Sequence, residues 1–394
     1  MTEKLVPFVR GPRRPDPTRM REFAATARKL LDERETTAET VSALLRETPR
    51  SQWRELAERE ELRSSGALDQ LAREAATRMK ESPAESLEVA QLALDISARI
   101  PSDSYPPLVV AQTRAHAWKD YARALCCLAR YDEAFSALDR ADRELEPFGS
   151  VAHDQAMLLL YRAIALQHVR RFEEAESLLT RAADIFRDHG DDALHAKCVL
   201  AYGNLLVRRG NHRGARELLL PLLGSVDPEG EATAITALAW CDIALDNPTT
   251  ALNRFAEAKQ RWTMLGRPID AMRTQYGAGA ALLRLARLDD AIARLTEARR
   301  ALLGFTLVEE AGLAGLELIE ALLMQDRASE AKRLASRIVQ EFVAANLNRR
   351  AVAALAYLNE IIGSTEATPE IVRSVTSYVV ALRDDPTREF SLIN

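Results

Sequence analysis

Ligand-type side chains gather in one short stretch, where His189, Asp191, Asp192 and His195 lie close to a turn between helical patterns. Two imidazoles and two carboxylates are donor types that a metal ion accepts. The same four residues also read as a helix that stops at Gly190 and a successor capped by Asp192, which needs no metal. His116, His153, His168 and His212 are scattered. Cys126 and Cys127 are adjacent, so they cannot clamp zinc together, and Cys198 and Cys241 stand alone. They read as small packing residues with reduced thiols. No Gly-rich phosphate loop and no His-Glu-x-x-His helix is present. Paired carboxylates abound, but on helix surfaces they are usually solvated or salt-bridged. The expectation is a chain without catalytic residues, cofactor or metal, whose chemistry is that of binding rather than turnover.

The elements that would position a binding surface follow from composition. The chain has 394 residues, 47% hydrophobic and 6% aromatic. Its 16 Gly and 16 Pro make 32 of 394, about 8%, below the roughly 12% of average proteins. Ala, Leu, Glu and Arg dominate, the best helix formers, so an all-α fold is expected. The net charge of −5 gives no bulk attraction to nucleic acid or an anionic membrane. Apolar runs such as Met157 to Tyr161 are far too short to cross a bilayer. The start, Met1-Thr2-Glu3-Lys4, lacks the apolar region of a signal peptide, which predicts a soluble cytoplasmic protein.

Residues 1–18 hold four prolines and the basic cluster Arg10, Arg13 and Arg14, and read as a flexible arm. Asp16-Pro17-Thr18 then launches a helix by cap and first-position-proline logic. Phe23, Ala24, Ala27, Leu30 and Leu31 share one face of it. Thr37 with Glu39 opens a second helix carrying Val41, Leu44 and Leu45, and Ser51 a third carrying Trp53, Leu56 and Leu62. A three-helix module over 19–63 is expected.

Beyond it the pattern turns periodic. Arg130-Tyr131-Asp132-Glu133-Ala134 recurs as Arg171-Phe172-Glu173-Glu174-Ala175, Gly210 to Ala215 and Arg287-Leu288-Asp289-Asp290-Ala291. The anchors Ser86, Ala134, Ala175, Ala215, Ala251, Ala291 and Ala331 are 48, 41, 40, 36, 40 and 40 residues apart. A small anchor lets the second helix of a pair approach the first closely. Apolar or small residues follow on the same face, such as Leu138 and Ala141 or Phe255 and Ala258. Upstream, a bulky residue precedes a small one where helices cross, as in Tyr121-Ala122 and Tyr202-Gly203.

These residues resemble the tetratricopeptide repeat (TPR) family. Trp118, Tyr121-Ala122 and Tyr131-Asp132-Glu133-Ala134 give the fullest match, and Tyr202-Gly203 with Gly210 to Ala215 the next. The period is near 40 rather than the family's 34, as in long-repeat bacterial signalling members. The resemblance implies a right-handed TPR-like α-solenoid of about seven helical hairpins over 64–362, with a C-terminal capping helix and tail over 363–394. First helices would line a concave groove. The family's inward positions fall on His116, Lys119 and Arg123, on Gln167 and His168, on Lys197, Asn204 and Arg208, on Trp240, and on Arg273, Tyr276 and Arg284. Glu320 is the one acidic residue at an equivalent position. A basic inner wall in an acidic protein favours a carboxylate-bearing peptide. Asn204 offers both donor and acceptor to a peptide backbone, and Trp240 and Tyr276 are the candidate anchors, although Trp240, beside the crossing at Ala239, reads equally as core. Only fragments of the family's Lys–Asn–Arg carboxylate clamp stand here.

Two functions follow. One is a non-catalytic scaffold or adaptor that holds a partner protein or an acidic peptide segment in the groove, in bacterial regulation or signalling. The other is a peptide-sensing switch, or an inhibitor that sequesters a protease or transcription factor through the N-terminal helices. The order of parts fits the second, but residues 1 to 60 show no clear helix-turn-helix.

Overall fold

One kind of turn, used repeatedly, sets the architecture. In the computed structural model, which describes residues 17–101, 103–149, 151–364, 368–382, 385 and 387–390, helix ends carry a residue in the left-handed conformation. Ala129, Arg170, Asp246, Ala286 and Asp326 do so without being glycine, and Gly190, Gly210 and Gly266 do so at no steric cost. The next amide reaches back five residues: Arg130 to the Leu125 carbonyl, Arg171 to Leu166, Asn247 to Asp242, Arg287 to Leu282. This closes the orphan carbonyls of each helix end and folds the chain back in about three residues.

Helix α1 (Pro17–Glu47) is followed by hairpins of two helices each. Their first helices are α2 (Ser65–Arg78), α4 (Pro107–Cys127), α6 (Ala152–His168), α8 (Asp192–Arg209), α10 (Pro228–Ala244), α12 (Pro268–Arg284) and α14 (Val308–Met324). Their second helices are α3 (Pro83–Ser97), α5 (Tyr131–Leu145), α7 (Phe172–Asp188), α9 (His212–Leu219), α11 (Pro248–Met264), α13 (Leu288–Gly304) and α15 (Ala328–Ala344). The chain ends with α16 (Arg349–Ser364) and α17 (Pro369–Ala381).

The period has a simple origin. From α10 to α15 every helix is 17 residues long, and they begin at residues 228, 248, 268, 288, 308 and 328. Seventeen helical residues plus a three-residue turn make 20, and a pair makes 40. Proline opens α10, α11 and α12, where its missing amide costs nothing. The one short step, 36 residues, falls at α9, which has 8 residues and gives way to a 3-10 turn at Leu220–Leu222 containing Pro221.

All seven anchors are fully buried, at 0% exposure. Ser86, the one hydroxyl among them, donates to the Ala75 carbonyl at 2.8 Å, so its burial strands no polar group. The crossing glycines show why small residues are required: a Cβ on Gly277 would lie 2.4 Å from the Phe255 ring, and one on Gly312 2.3 Å from Phe342. Gly277→Ala is expected to cost about 1–2 kcal/mol by overpacking. Urea titration checks this, and an unchanged midpoint would mean that the hairpins do not interdigitate here.

Consecutive first helices touch one another (α4 with α6, α6 with α8, α8 with α10, α10 with α12, α12 with α14), so they form the inner layer of a curved stack. Helix α17 packs on α14 and α16, and its Thr368 cap accepts from the Ile371 amide. It therefore lies against the inner layer, where Val372, Val375 and Val379 share one apolar cluster with Leu313, Leu316 and Leu323. The capping role foreseen for this helix is thus carried out from the groove side.

The N-terminal region departs from the expected three helices. Pro17–Glu47 is one unbroken helix of 31 residues. Thr37 does not start a new helix; its hydroxyl donates back to the Glu33 carbonyl at 2.7 Å, as that of Thr36 does to Asp32 at 2.8 Å, so both bond within the continuing helix. The segment from Ser51 forms a 3-10 helix, Arg50–Glu58, that buries Trp53 and Leu56. Phe23 and Leu31 on α1 stand 71% and 58% exposed. The proline-rich arm and the Asp16 cap lie outside the described residues. Among the described residues no helix is long and apolar enough to cross a membrane.

Candidate functional site

The inner layer brings side chains from α4, α6, α8, α10, α12 and α14 towards one interior. The coil is tight enough for charges to act across it. The Cys127 thiol, at the end of α4, is pushed up by burial, and it feels Arg273 and Asp270 of α12 and Glu310 of α14. Arg123 feels Tyr161 and Cys127 beside it and Glu229 at the start of α10.

The foreseen inward residues divide into three groups. The first surrounds Tyr161 on α6. Lys197 donates to the Tyr161 hydroxyl at 3.2 Å, and its ammonium sits 5.3 Å from the ring centroid. Lys119 sits 5.4 Å from the same centroid and 3.2 Å from Asp120. Burial would raise the Tyr161 phenol, yet the charges of Lys197, Arg123 and Lys119 outweigh it and hold the phenol below its ordinary range. Half-buried Asn204 and exposed Arg208 continue this face along α8.

The second group is aromatic. Trp240 is half-buried, edge-on to Phe255 at 5.3 Å and tilted against Tyr276 at 5.6 Å. Phe255 itself is core, and Trp240 and Tyr276 each pack against a buried cluster. His168, at the end of α6, is half-buried and stacked on Tyr131 at 5.5 Å.

The third group corrects the picture of a uniformly basic wall. Arg273 is held in a fork by Glu310 at 2.8 and 2.6 Å and by Asp270 at 3.0 Å. It ties α12 to α14 and has no charge to spare. His116 is likewise bound to Asp154 at 3.0 Å. Glu320 is not the only acid: Tyr276 donates to Glu317 at 3.0 Å, and Glu320 is buried and receives Arg373 of α17 at 2.8 Å. Arg284 is exposed on the same helix as Arg273. Gln167 is not an inward residue at all; it is buried and donates to the Ala201 carbonyl at 3.0 Å. Arg273, His116 and Glu320 are thus held by partners on other helices, while the lysines of α4 and α8 meet at Tyr161.

Tyr161, Glu310 and Glu317 lie outside the residues that the sequence singles out. The His189–His195 stretch resolves as termination: Asp191, not Asp192, caps α8 by accepting from the Leu194 amide. His195 and His189 face the carbonyls of Ala183 and Ile185 at 3.0 and 2.7 Å. Among the described residues no group of three metal-ligating side chains assembles.

No model of a known protein family matches this sequence, and no protein of curated function matches it. Solved structures do. A Rap protein in complex with competence and sporulation factor is 12% identical, with 84% of this chain covering 99% of that one at a TM-score of 0.50. A STAND signal-transduction ATPase with a tetratricopeptide repeat sensor from Pyrococcus horikoshii is 13% identical, with a TM-score of 0.49; 90% of this chain spans about half of it, 53%. Aspartyl phosphate phosphatase F from Bacillus subtilis is 12% identical over 80% of this chain and 84% of its own, at 0.44. At such identities the likeness concerns fold: the chain is a TPR-like helical solenoid.

Proposed function

We propose that this chain is a non-catalytic interaction scaffold, in bacterial regulation within the cytoplasm, that holds a partner protein or its acidic peptide segment against the inner layer. The observation that carries this reading is the cluster of cations on the inner layer, where Lys197 of α8 donates to Tyr161 and Lys119 of α4 sits over the same ring, with the half-buried rings of Trp240 and Tyr276 in contact on the next two first helices. Aromatic side chains concentrate binding energy, and one-signed charge in a concavity draws an oppositely charged ligand. The Rap structure, solved with competence and sporulation factor, is a precedent for this fold as a ligand binder, by analogy only.

A second reading has its own observation. Phe23, Leu31 and Met20 stand exposed along α1, a face that suits an inhibitor or switch acting through its N-terminal helix.

Affinity purification from the native host separates them. Trp240→Ala with Lys197→Glu and Arg208→Glu is expected to lose the partners that the wild type captures, at unchanged helicity. Arg273 is left alone because its reversal would pull α12 from α14. Retention of every partner by this variant, with loss on Phe23→Ser/Leu31→Ser, would overturn the groove in favour of α1.

A further inference from the structure

Helix α1 carries an unbroken alternation of three- and four-residue steps: Met20, Phe23, Ala27, Leu30, Arg34, Thr37, Val41 and Leu44. That spacing keeps one seam of a helix turned to a partner along its whole length. The later part of the seam finds its partner within the chain. Val41, Leu44 and Leu45 lie in one core with Leu68 and Leu71 of α2. Helix α2 runs beside α1 in the same direction: Gly66 lies against the Glu33 backbone, Asp69 pairs with Arg34 at 2.9 Å, and Glu74 accepts from Ser42 at 2.6 Å. Because α2 starts level with Glu33, the first part of α1 extends past it. Lys29 still reaches the Ser104 carbonyl at 2.7 Å. Before it, Pro17 to Arg28 amount to roughly 18 Å of helix. Every side chain described from Thr18 to Ala25 is exposed, Met20 and Phe23 among them. So short a stretch is marginal as a helix without something to pack on, and half of the seam stands open.

We propose that this open half is a homodimer surface, across which α1 of a second copy of this chain lies antiparallel, with Phe23 over Ala27 and Met20 over Leu30 on either side of the two-fold axis. The proposal is independent of the groove reading. The seam is the one that already packs on α2, so its continuation takes another amphipathic helix. At the centre of the open stretch Ala24, Thr26 and Ala27 are small, which lets two identical helices approach closely at a two-fold and gives each Phe23 ring a small residue to cover. The exposed charges around it, Arg21, Glu22, Arg28, Lys29 and Asp32, are of both signs, so the surface selects neither a strongly acidic nor a strongly basic partner. The direction follows from α2. In a parallel pair the two bodies, each beginning level with Glu33, would collide on one side of the seam. An antiparallel pair sets them at opposite ends.

Sedimentation of the full chain tests this. Two such helices make an interface at the small end of the stable range, so dimers should form at roughly 1–100 μM. Phe23→Glu and Ala27→Glu keep a good helix former on α1, and circular dichroism should be unchanged in both. Each should raise the dimer dissociation constant about a hundredfold or more, because the two-fold counts every loss twice. For the direction, Ala24→Cys, beside the axis, should oxidise to a cross-linked dimer, and Met20→Cys should not. A monomer at every concentration, a dimer that persists in both Glu variants, or cross-linking of Met20→Cys with Ala24→Cys silent overturns the proposal. If the chain is monomeric, hydrogen exchange from Met20 to Leu31 identifies what replaces the second copy: protection points to residues of the same chain, and fast exchange to a different protein.

Discussion

Arg254→Met is expected to destabilise the protein by about 3 kcal/mol, more than the removal of the carboxylate that Arg254 serves. Asp242 on α10 is fully buried and is gripped by Arg254 of α11, with Arg216 of α9 at 3.5 Å. One carboxylate therefore joins three helices at the place where the repeat is shortest and α9 ends early. The two arginines are partly exposed, with side chains at 20% and 41% exposure, against 1% for Asp242. Removing Arg254 strands a negative charge in the core with a long, single contact. Removing Asp242 leaves cations that swing to water. Breaking one side of a buried pair costs on the order of 3–5 kcal/mol, whereas apolar replacement of both partners is often neutral. Because Arg216 remains, the lower end applies. Asp242→Leu/Arg254→Met should recover most of the loss, with hydrogen exchange in α10 and α11 reporting where it arises. Equal destabilisation by the two single variants would show that burial of Asp242 is not the controlling cost.

The same contrast between local rule and spatial context separates what could be read in the chain from what could not. The anchors were legible because a small residue at a helix crossing answers to a near neighbour: Ala134, Ala175 and Ala291 are recognisable from the residues immediately around them and prove fully buried. Inward-facing residues demand more, since a one-residue error in register turns a helical side chain through about 100°. Extending the pattern back from Ala175 put Gln167 in the groove, whereas it is buried against the Ala201 carbonyl and Tyr161 faces the cations instead. Arg273 was legible as an inner residue, but its partner Glu310 comes from the next hairpin, and the cancellation of its charge has no local signature. Thr37 fails for a related reason. A hydroxyl that caps a helix and one that bonds back within it are the same residue in sequence. Only packing of the 31-residue α1 against α2 decides between them.

Stability should fall as pH rises towards neutrality, and Glu317→Gln should remove that fall. Glu317 sits on α14 beneath Tyr276, which donates to one of its oxygens at 3.0 Å; the other oxygen is buried and has no partner. Burial pushes its carboxyl up to about 7, with the Glu320 charge reinforcing the shift and the Tyr276 bond and Arg284 opposing it. The folded pKa is raised above the unfolded one, so the folded state holds the proton over a pH range where the unfolded chain has released it. The stabilisation is therefore complete below about 4.5, declines as pH rises, and is lost above about 7. At about 1.4 kcal/mol per pH unit, the full span is at most about 3.5 kcal/mol, less whatever solvent reaches the half-buried side chain. Gln keeps an acceptor for Tyr276 without the charge. Urea midpoints at about pH 5 and about pH 8 should differ clearly more in the wild type than in Glu317→Gln, and the variant should be the more stable at the higher pH. The consequence reaches the groove, because the ring that Glu317 anchors is the one tilted against Trp240. Ionisation near neutrality strengthens the acceptor under Tyr276 while it strains the core below, so tryptophan fluorescence of Trp240, isolated by difference against Trp240→Phe, should shift through the same pH window and stay flat in Glu317→Gln. A flat wild-type profile in both measurements would show that this carboxyl titrates in its ordinary range.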